Sequence, residues 1–231
     1  MPSSRRSLLT VGGIVAAAGA GGVAYWRLAG EKPAPPPAPP AAPTTAAAPA
    51  GDPRMAERSL GKADAPVVVT EWFSMTCPHC AAFHRDSMPG IKSALLDTGK
   101  ARMVFRDFPL DQLALTAAMV ARSLPVERYD PFLTALFASQ DRWAFNRQAN
   151  PIEELAKIAA LAGMGRDAFN AATADQGLRA AILKGQEEAD KIYHVDSTPS
   201  FIFNGPGAKN RRESGGRSPD DFAKLVAAAA G

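Results

Sequence analysis

The sequence predicts an α/β domain interrupted by an all-helical block, on three observations. Val67-Val68-Val69-Thr70-Glu71-Trp72-Phe73, Ala101-Arg102-Met103-Val104-Phe105 and Ser200-Phe201-Ile202-Phe203 are short runs rich in β-branched and aromatic residues, the pattern of buried strands. Residues 111–193 carry almost no strand signal and space their apolar side chains by three and four, the helical period. Between the first two strands, the only two cysteines open a helix-like stretch.

With 231 residues, 46% of them hydrophobic, the chain is long enough for one good-sized core or two small ones. The formal net charge of +3 is concentrated at the N-terminus, where Arg5, Arg6, Arg27 and Lys32 face the single acid Glu31. Residues 33–231 balance 22 basic against 22 acidic side chains, and a neutral body argues against a nucleic-acid partner. The cluster Lys209-Asn210-Arg211-Arg212 reads as a solvated loop. Two cysteines cannot form the disulfide framework of a small secreted protein. A bridge between them would close a ring of only four residues and constrain the unfolded chain little, so the pair reads as reactive rather than structural.

In chain order, residues 1–32 look like an export signal or a membrane anchor. Arg5-Arg6 precede an uncharged run from Ser7 to Trp26, and paired arginines before a weakly apolar Gly/Ala-rich segment resemble the twin-arginine class. About 20 residues at ~1.5 Å each span roughly 30 Å, so residues 7–27 are also long enough to cross a bilayer. The five glycines at 12, 13, 19, 21 and 22 argue against a stable anchor, and Ala18-Gly19-Ala20 offers small residues to a peptidase. Both outcomes stand. Residues 33–53 hold nine prolines among Ala and Thr, the composition of an extended linker. Such a spacer favours something upstream that stays attached.

The domain is expected over residues 54–231. Asp64-Ala65-Pro66 signals a turn before the first strand. After the cysteines, residues 81–96 read as a helix kinked by Pro89 and stopped at Gly99. The helical insertion covers about 111–193. Its first helix carries Leu113, Leu115, Ala118 and Met119 and ends near Pro125; the second carries Phe132, Leu136 and Phe137. A third starts at Pro151, a short element holds Phe169, and a longer one runs from Leu178 to Tyr193. Thr198-Pro199 introduces the third strand, a turn follows at Asn204-Gly205-Pro206-Gly207, and residues near 211–214 pair back as a hairpin. Ser218-Pro219-Asp220-Asp221 supplies an N-cap, a Pro at N1 and two first-turn acids for a last helix.

The chemistry follows from Cys77-Pro78-His79-Cys80. With Pro78 as the first helical residue, Cys77 is the N-cap, where the His79 and Cys80 N–H groups and the helix dipole favour a thiolate. The dipole supplies about 1–2 kcal/mol, roughly one pH unit at 1.36 kcal/mol each. Lowering a thiol from about 8.5 to well below neutrality needs more, for which a protonated His79 and the N–H bonds are the candidates. A stabilised thiolate stabilises the dithiol, which makes the disulfide oxidising. Glu71, six residues before Cys77 in an apolar strand, faces desolvation and can exchange a proton with Cys80. Zinc needs about four ligands, and Cys77, Cys80 and His84 supply three, so a metal carrier is the rival from another class. Covalent haem is excluded because Ala81 follows Cys80. His84 reads as a surface or packing residue and His194 as a helix-end residue.

Glu71 through Cys80, followed by Thr198-Pro199 before a strand, resembles the DsbA family of thiol:disulfide oxidoreductases, and the similarity runs from about Leu60 to the C-terminus. The resemblance implies a thioredoxin fold with a helical insertion. It implies Cys77 as exposed nucleophile, Cys80 as buried resolving partner and Pro199 as a cis-proline beside the pair. The Thr198 strand edge would receive substrate backbone by β-augmentation. The chain is then expected to be a monomeric periplasmic oxidase of exported proteins with free thiols, reoxidised by a quinone-linked membrane partner and needing no bound cofactor. Threonine, as at Thr198, also precedes the proline in isomerase and reductase relatives, so a periplasmic reductase or isomerase is the first rival.

Overall fold

The computed structural model describes residues 51–231; the export segment expected at 1–32 and all but the end of the linker expected at 33–53 lie outside the described residues. A five-stranded sheet carries the domain in the order β1-β3-β2-β4-β5. β2 (Val67–Phe73) lies at its centre, parallel to β3 (Ala101–Asp107) and antiparallel to β4 (Ser200–Gly205). Burial on both faces explains why β2 is a continuous apolar run rather than an alternating one. β5 (Ala208–Ser214) forms the exposed edge beyond β4. The basic cluster at 209–212 therefore belongs to an edge strand, not to a loop, and its charges suit an unprotected edge. β1 (Arg58–Leu60) is the strand the sequence did not announce, because three residues beginning with arginine carry no strand pattern. Its register against β3 supplies the evidence that residues 58–60 alone do not.

The helix after the cysteines departs from the expected single kink. α1 (Pro78–Ala82) passes into a π-turn at Phe83–Ser87, then α2 (Met88–Ile91) and a second π-turn at Lys92–Leu96. Pro89 has no N–H and its ring crowds the carbonyl four residues back; the wide turn just before it relieves both problems. Gly99 ends the segment at φ +79°, a conformation that a side chain would strain.

Between β3 and β4 run α3 (Gln112–Arg122), α4 (Val126–Ala138), α5 (Gln140–Trp143), α6 (Pro151–Leu161), α7 (Arg166–Ala174) and α8 (Gln176–Tyr193). Side chains of Asp111, Asn150 and Asp175 cap α3, α6 and α8, and α8 ends at His194 in the left-handed region. α9 (Pro219–Ala230) begins at the Ser218 cap and packs on the sheet through Phe222 and Val226.

The block is pinned to the sheet by a buried charge. Arg122 of α3 is fully buried, donates to Asp107 Oδ2 at 2.6 Å, and reaches the carbonyls of Ala56 and Phe105. Removing one member of such a pair costs about 3–5 kcal/mol, because the other stays buried and unpaired. One continuous core joins Phe73, Phe83, Phe105, Phe137, Phe201 and Phe222 with Cys77 and Cys80 at its wall.

Candidate active site

The cysteines sit where β2 leaves the centre of the sheet and a helix begins. Cys77 has extended backbone (φ −74°, ψ 118°), Pro78 is the first helical residue, and the Ala81 N–H donates to the Cys77 carbonyl at 3.1 Å. Pro78 and His79 are exposed, whereas Cys77 keeps 4% of its surface and Cys80 none. Cys77 is thus more covered than an exposed nucleophile would be. Its thiol donates to the Thr198 carbonyl at 3.4 Å, and the Thr198–Pro199 peptide is cis.

The two sulfurs experience opposite pressures. The Cys77 thiol is pushed down to about 5, first because the Cys80 thiol hydrogen-bonds to it, with help from Thr198 and the N–H groups of Cys80 and His79; burial opposes the shift. Burial and then the neighbouring Cys77 sulfur push the Cys80 thiol well up, and the Glu71 charge adds to this. Cys77 makes no side-chain capping bond, yet the N–H groups of Cys80 and His79 favour its ionised sulfur. His79 contributes through its peptide N–H.

The turn is held by residues the sequence did not single out. Gln140 of α5, 3% exposed, donates to the carbonyls of Met75 (2.9 Å) and Cys77 (3.1 Å). The Thr76 hydroxyl donates to Asp111 Oδ2 at 2.6 Å, while Asp111 Oδ1 caps α3. Asp111 was visible as an acid ahead of a helical pattern; Gln140 had no signal of its own. Glu71, fully buried in β2, lies not alone but against His84, whose Nε2 is 3.0 and 3.1 Å from its two oxygens. Of the two expectations for His84, surface or packing, its buried side chain fits packing, and its contact with Glu71 turns it away from the cysteines. Among the described residues no group of three His, Cys, Asp or Glu side chains is placed to hold a metal ion.

A thioredoxin-type sheet with a dithiol at the helix mouth defines a class of thiol-exchange folds. A family model described as Thioredoxin matches residues 54–226, and the chain belongs to that family, in its DsbA-like branch. The crystal structure of alpha-DsbA1 from Wolbachia pipientis is similar at 30% identity and TM-score 0.69, over 75% of this chain and 90% of that one. BdbD from Bacillus subtilis, 19% identical with TM-score 0.63 over 74% and 91% of the two chains, shares the fold. A Rickettsia prowazekii protein named as a protein-disulfide oxidoreductase is 30% identical over 152 residues, 65% of this chain and 55% of its own length. The chain thus matches only about half the length of that relative.

Proposed function

We propose that this chain is a periplasmic disulfide donor, whose Cys77–Cys80 disulfide takes two electrons from the thiols of exported proteins. The carrying observation is the contrast at the pair, one thiol held near 5 and its neighbour pushed well up. A thiolate stabilised only in the dithiol form makes the disulfide oxidising.

A substrate thiolate attacks Sγ of Cys77, the Cys77–Cys80 bond breaks, and its electron pair leaves on Cys80, which takes a proton. A second substrate thiolate then attacks the substrate sulfur of the mixed disulfide and expels Cys77. The substrate ends as a disulfide, Cys80 as a thiol and Cys77 as a thiolate, so one of the two substrate protons goes to solvent. Glu71 exchanges the Cys80 proton, and the Thr198–Pro199 edge receives substrate backbone.

In the same reading residues 1–32 direct export or anchor the chain, residues 33–53 are the spacer, and residues 54–231 act as a monomer. A quinone-linked membrane partner restores the disulfide. Among the described residues no helix is long and apolar enough to cross a membrane. Redox titration against glutathione, with oxidation of a reduced dithiol peptide, tests the reading. A potential near about −120 mV with rapid oxidation supports it; one near about −270 mV makes the chain a reductase.

A further inference from the structure

Beneath the cysteine turn two ionisable side chains share one apolar chamber. Glu71 enters from the middle of β2 with its side chain fully buried, and His84 enters from the first π-turn with its side chain 6% exposed. Phe137, Phe83, Phe73 and Phe105 enclose the imidazole, with ring centroids at 4.4, 5.7, 6.1 and 6.1 Å. The two Nε2–oxygen distances are those of one N–H donated to both arms of a carboxylate. Apolar residues of the same volume would avoid the desolvation cost of the pair. The π-turn matters here. Its extra residue per turn sets the His84 side chain against β2, and single wide turns of this kind recur at functional sites.

Other titratable groups face the pair from the elements packed on it. On α1, Cys80 feels the Glu71 charge, which favours its thiol. On α4, burial pushes the Tyr129 hydroxyl up, with Asp107 and Glu71 adding to it and two arginines opposing. Also on α4, burial pushes the half-buried Asp130 carboxyl up, while His84 and Lys92 pull it back.

We infer that His84 is a positioning residue for the proton that passes between Glu71 and Cys80. This deepens the proposed disulfide exchange and rests on it. The step requires the pair to hold one proton beyond the Nε2–H of a neutral imidazole. When Cys80 leaves the mixed disulfide as a thiolate, Glu71 hands it that proton, and His84 keeps the carboxylate in place through the Nε2–H. Solvent returns a proton through the slightly exposed imidazole edge. Cys80 gains the one proton that the pair loses, and no electrons move in the step.

The test has two arms on the full chain. NMR of the histidine rings, with His84 assigned by elimination using His79→Ala and His194→Ala, follows the dithiol and disulfide forms from pH 5 to 9. The His84 resonances are expected to differ between the two forms in a pH-dependent way, and Glu71→Gln to abolish the difference. Identical titrations in both forms overturn the inference, whether or not the chain exchanges disulfides. The second arm is the pH profile of exchange with a dithiol peptide. His84→Gln, which keeps an N–H donor but cannot take up or release a proton in this pH range, should slow exchange on the order of tenfold and remove one limb of the profile. The double variant with Glu71→Gln should be no slower than Glu71→Gln alone. An unchanged His84→Gln profile, or effects that multiply in the double variant, also overturn it. Absent exchange in the unaltered chain refutes the proposed function, and the NMR arm then decides on His84 by itself.

Discussion

At the scale of single residues, two identical side chains three positions apart are driven in opposite directions. Cys77 faces the helix mouth, and the Cys80 thiol is its strongest support. A hydrogen bond to a charged group is worth about 1.5–3 kcal/mol, or roughly one to two pH units. Cys80→Ala is therefore expected to raise the Cys77 titration, read by thiolate absorbance, by about that amount. Cys80→Ser keeps a donor and should restore most of it; equal midpoints in the two variants would remove Cys80 from the account. His79 teaches a second point at this scale. A protonated imidazole beside the sulfur is a natural expectation from the motif; His79 is exposed, and its peptide N–H is one of the groups that favour the Cys77 thiolate, after the Cys80 thiol. Any residue but proline at position 79 keeps that N–H.

At the scale of elements, the site is a joint between the sheet and the helical block. α5 is four residues long, yet its Gln140 satisfies two buried carbonyls of the cysteine turn at once. Gln140→Ala leaves the Met75 carbonyl without this donor and the Cys77 carbonyl with the Ala81 N–H alone. Since an unsatisfied buried polar group costs about 1–3 kcal/mol, urea unfolding should show a loss of that order or somewhat more. The dithiol should also react faster with an alkylating agent at pH 5, because a looser turn uncovers Cys77. A stable variant with unchanged alkylation would mean that the rest of the turn, through Thr76 and Asp111, is sufficient. The π-turns belong to this scale too: Pro89 announced a disturbance, but its form depended on what the helix packs against.

For the whole molecule, the ionisation of one sulfur is linked to stability. Cys77 titrates near 5 when folded, below the ordinary thiol value of 9.0, so the folded dithiol gains stability above the ordinary value. The gain fades as pH falls and is gone once pH drops through about 5. The disulfide form has no thiolate and lacks this dependence. Between pH 4 and pH 8, the dithiol should therefore gain on the disulfide in melting temperature by several degrees, at about 2–4 °C per kcal/mol for a domain of this size. Scanning calorimetry of both forms checks it. A difference that stays constant with pH would show that the folded chain does not hold Cys77 ionised. Staying below pH 8 keeps Cys80 a thiol, since its proton is held more tightly than usual.

The central strand, the cysteine turn, the helical block and the final capped helix are legible from residue order alone, because each is written in local pattern: a β-branched run, a Pro after an N-cap, apolar spacing of three and four. Residue order also carries the family motif, since Glu71, the Cys77–Cys80 turn and Thr198-Pro199 are readable as residue types. Only tertiary structure decided what those residues meet. β1 exists through its partner β3, Gln140 matters because α5 begins against the turn, and the partner of Glu71 is found thirteen positions later on another element. Periodicity records which face of an element is buried. It holds no record of which polar atom will face another across the core, because that depends on how far apart the packed elements come to rest.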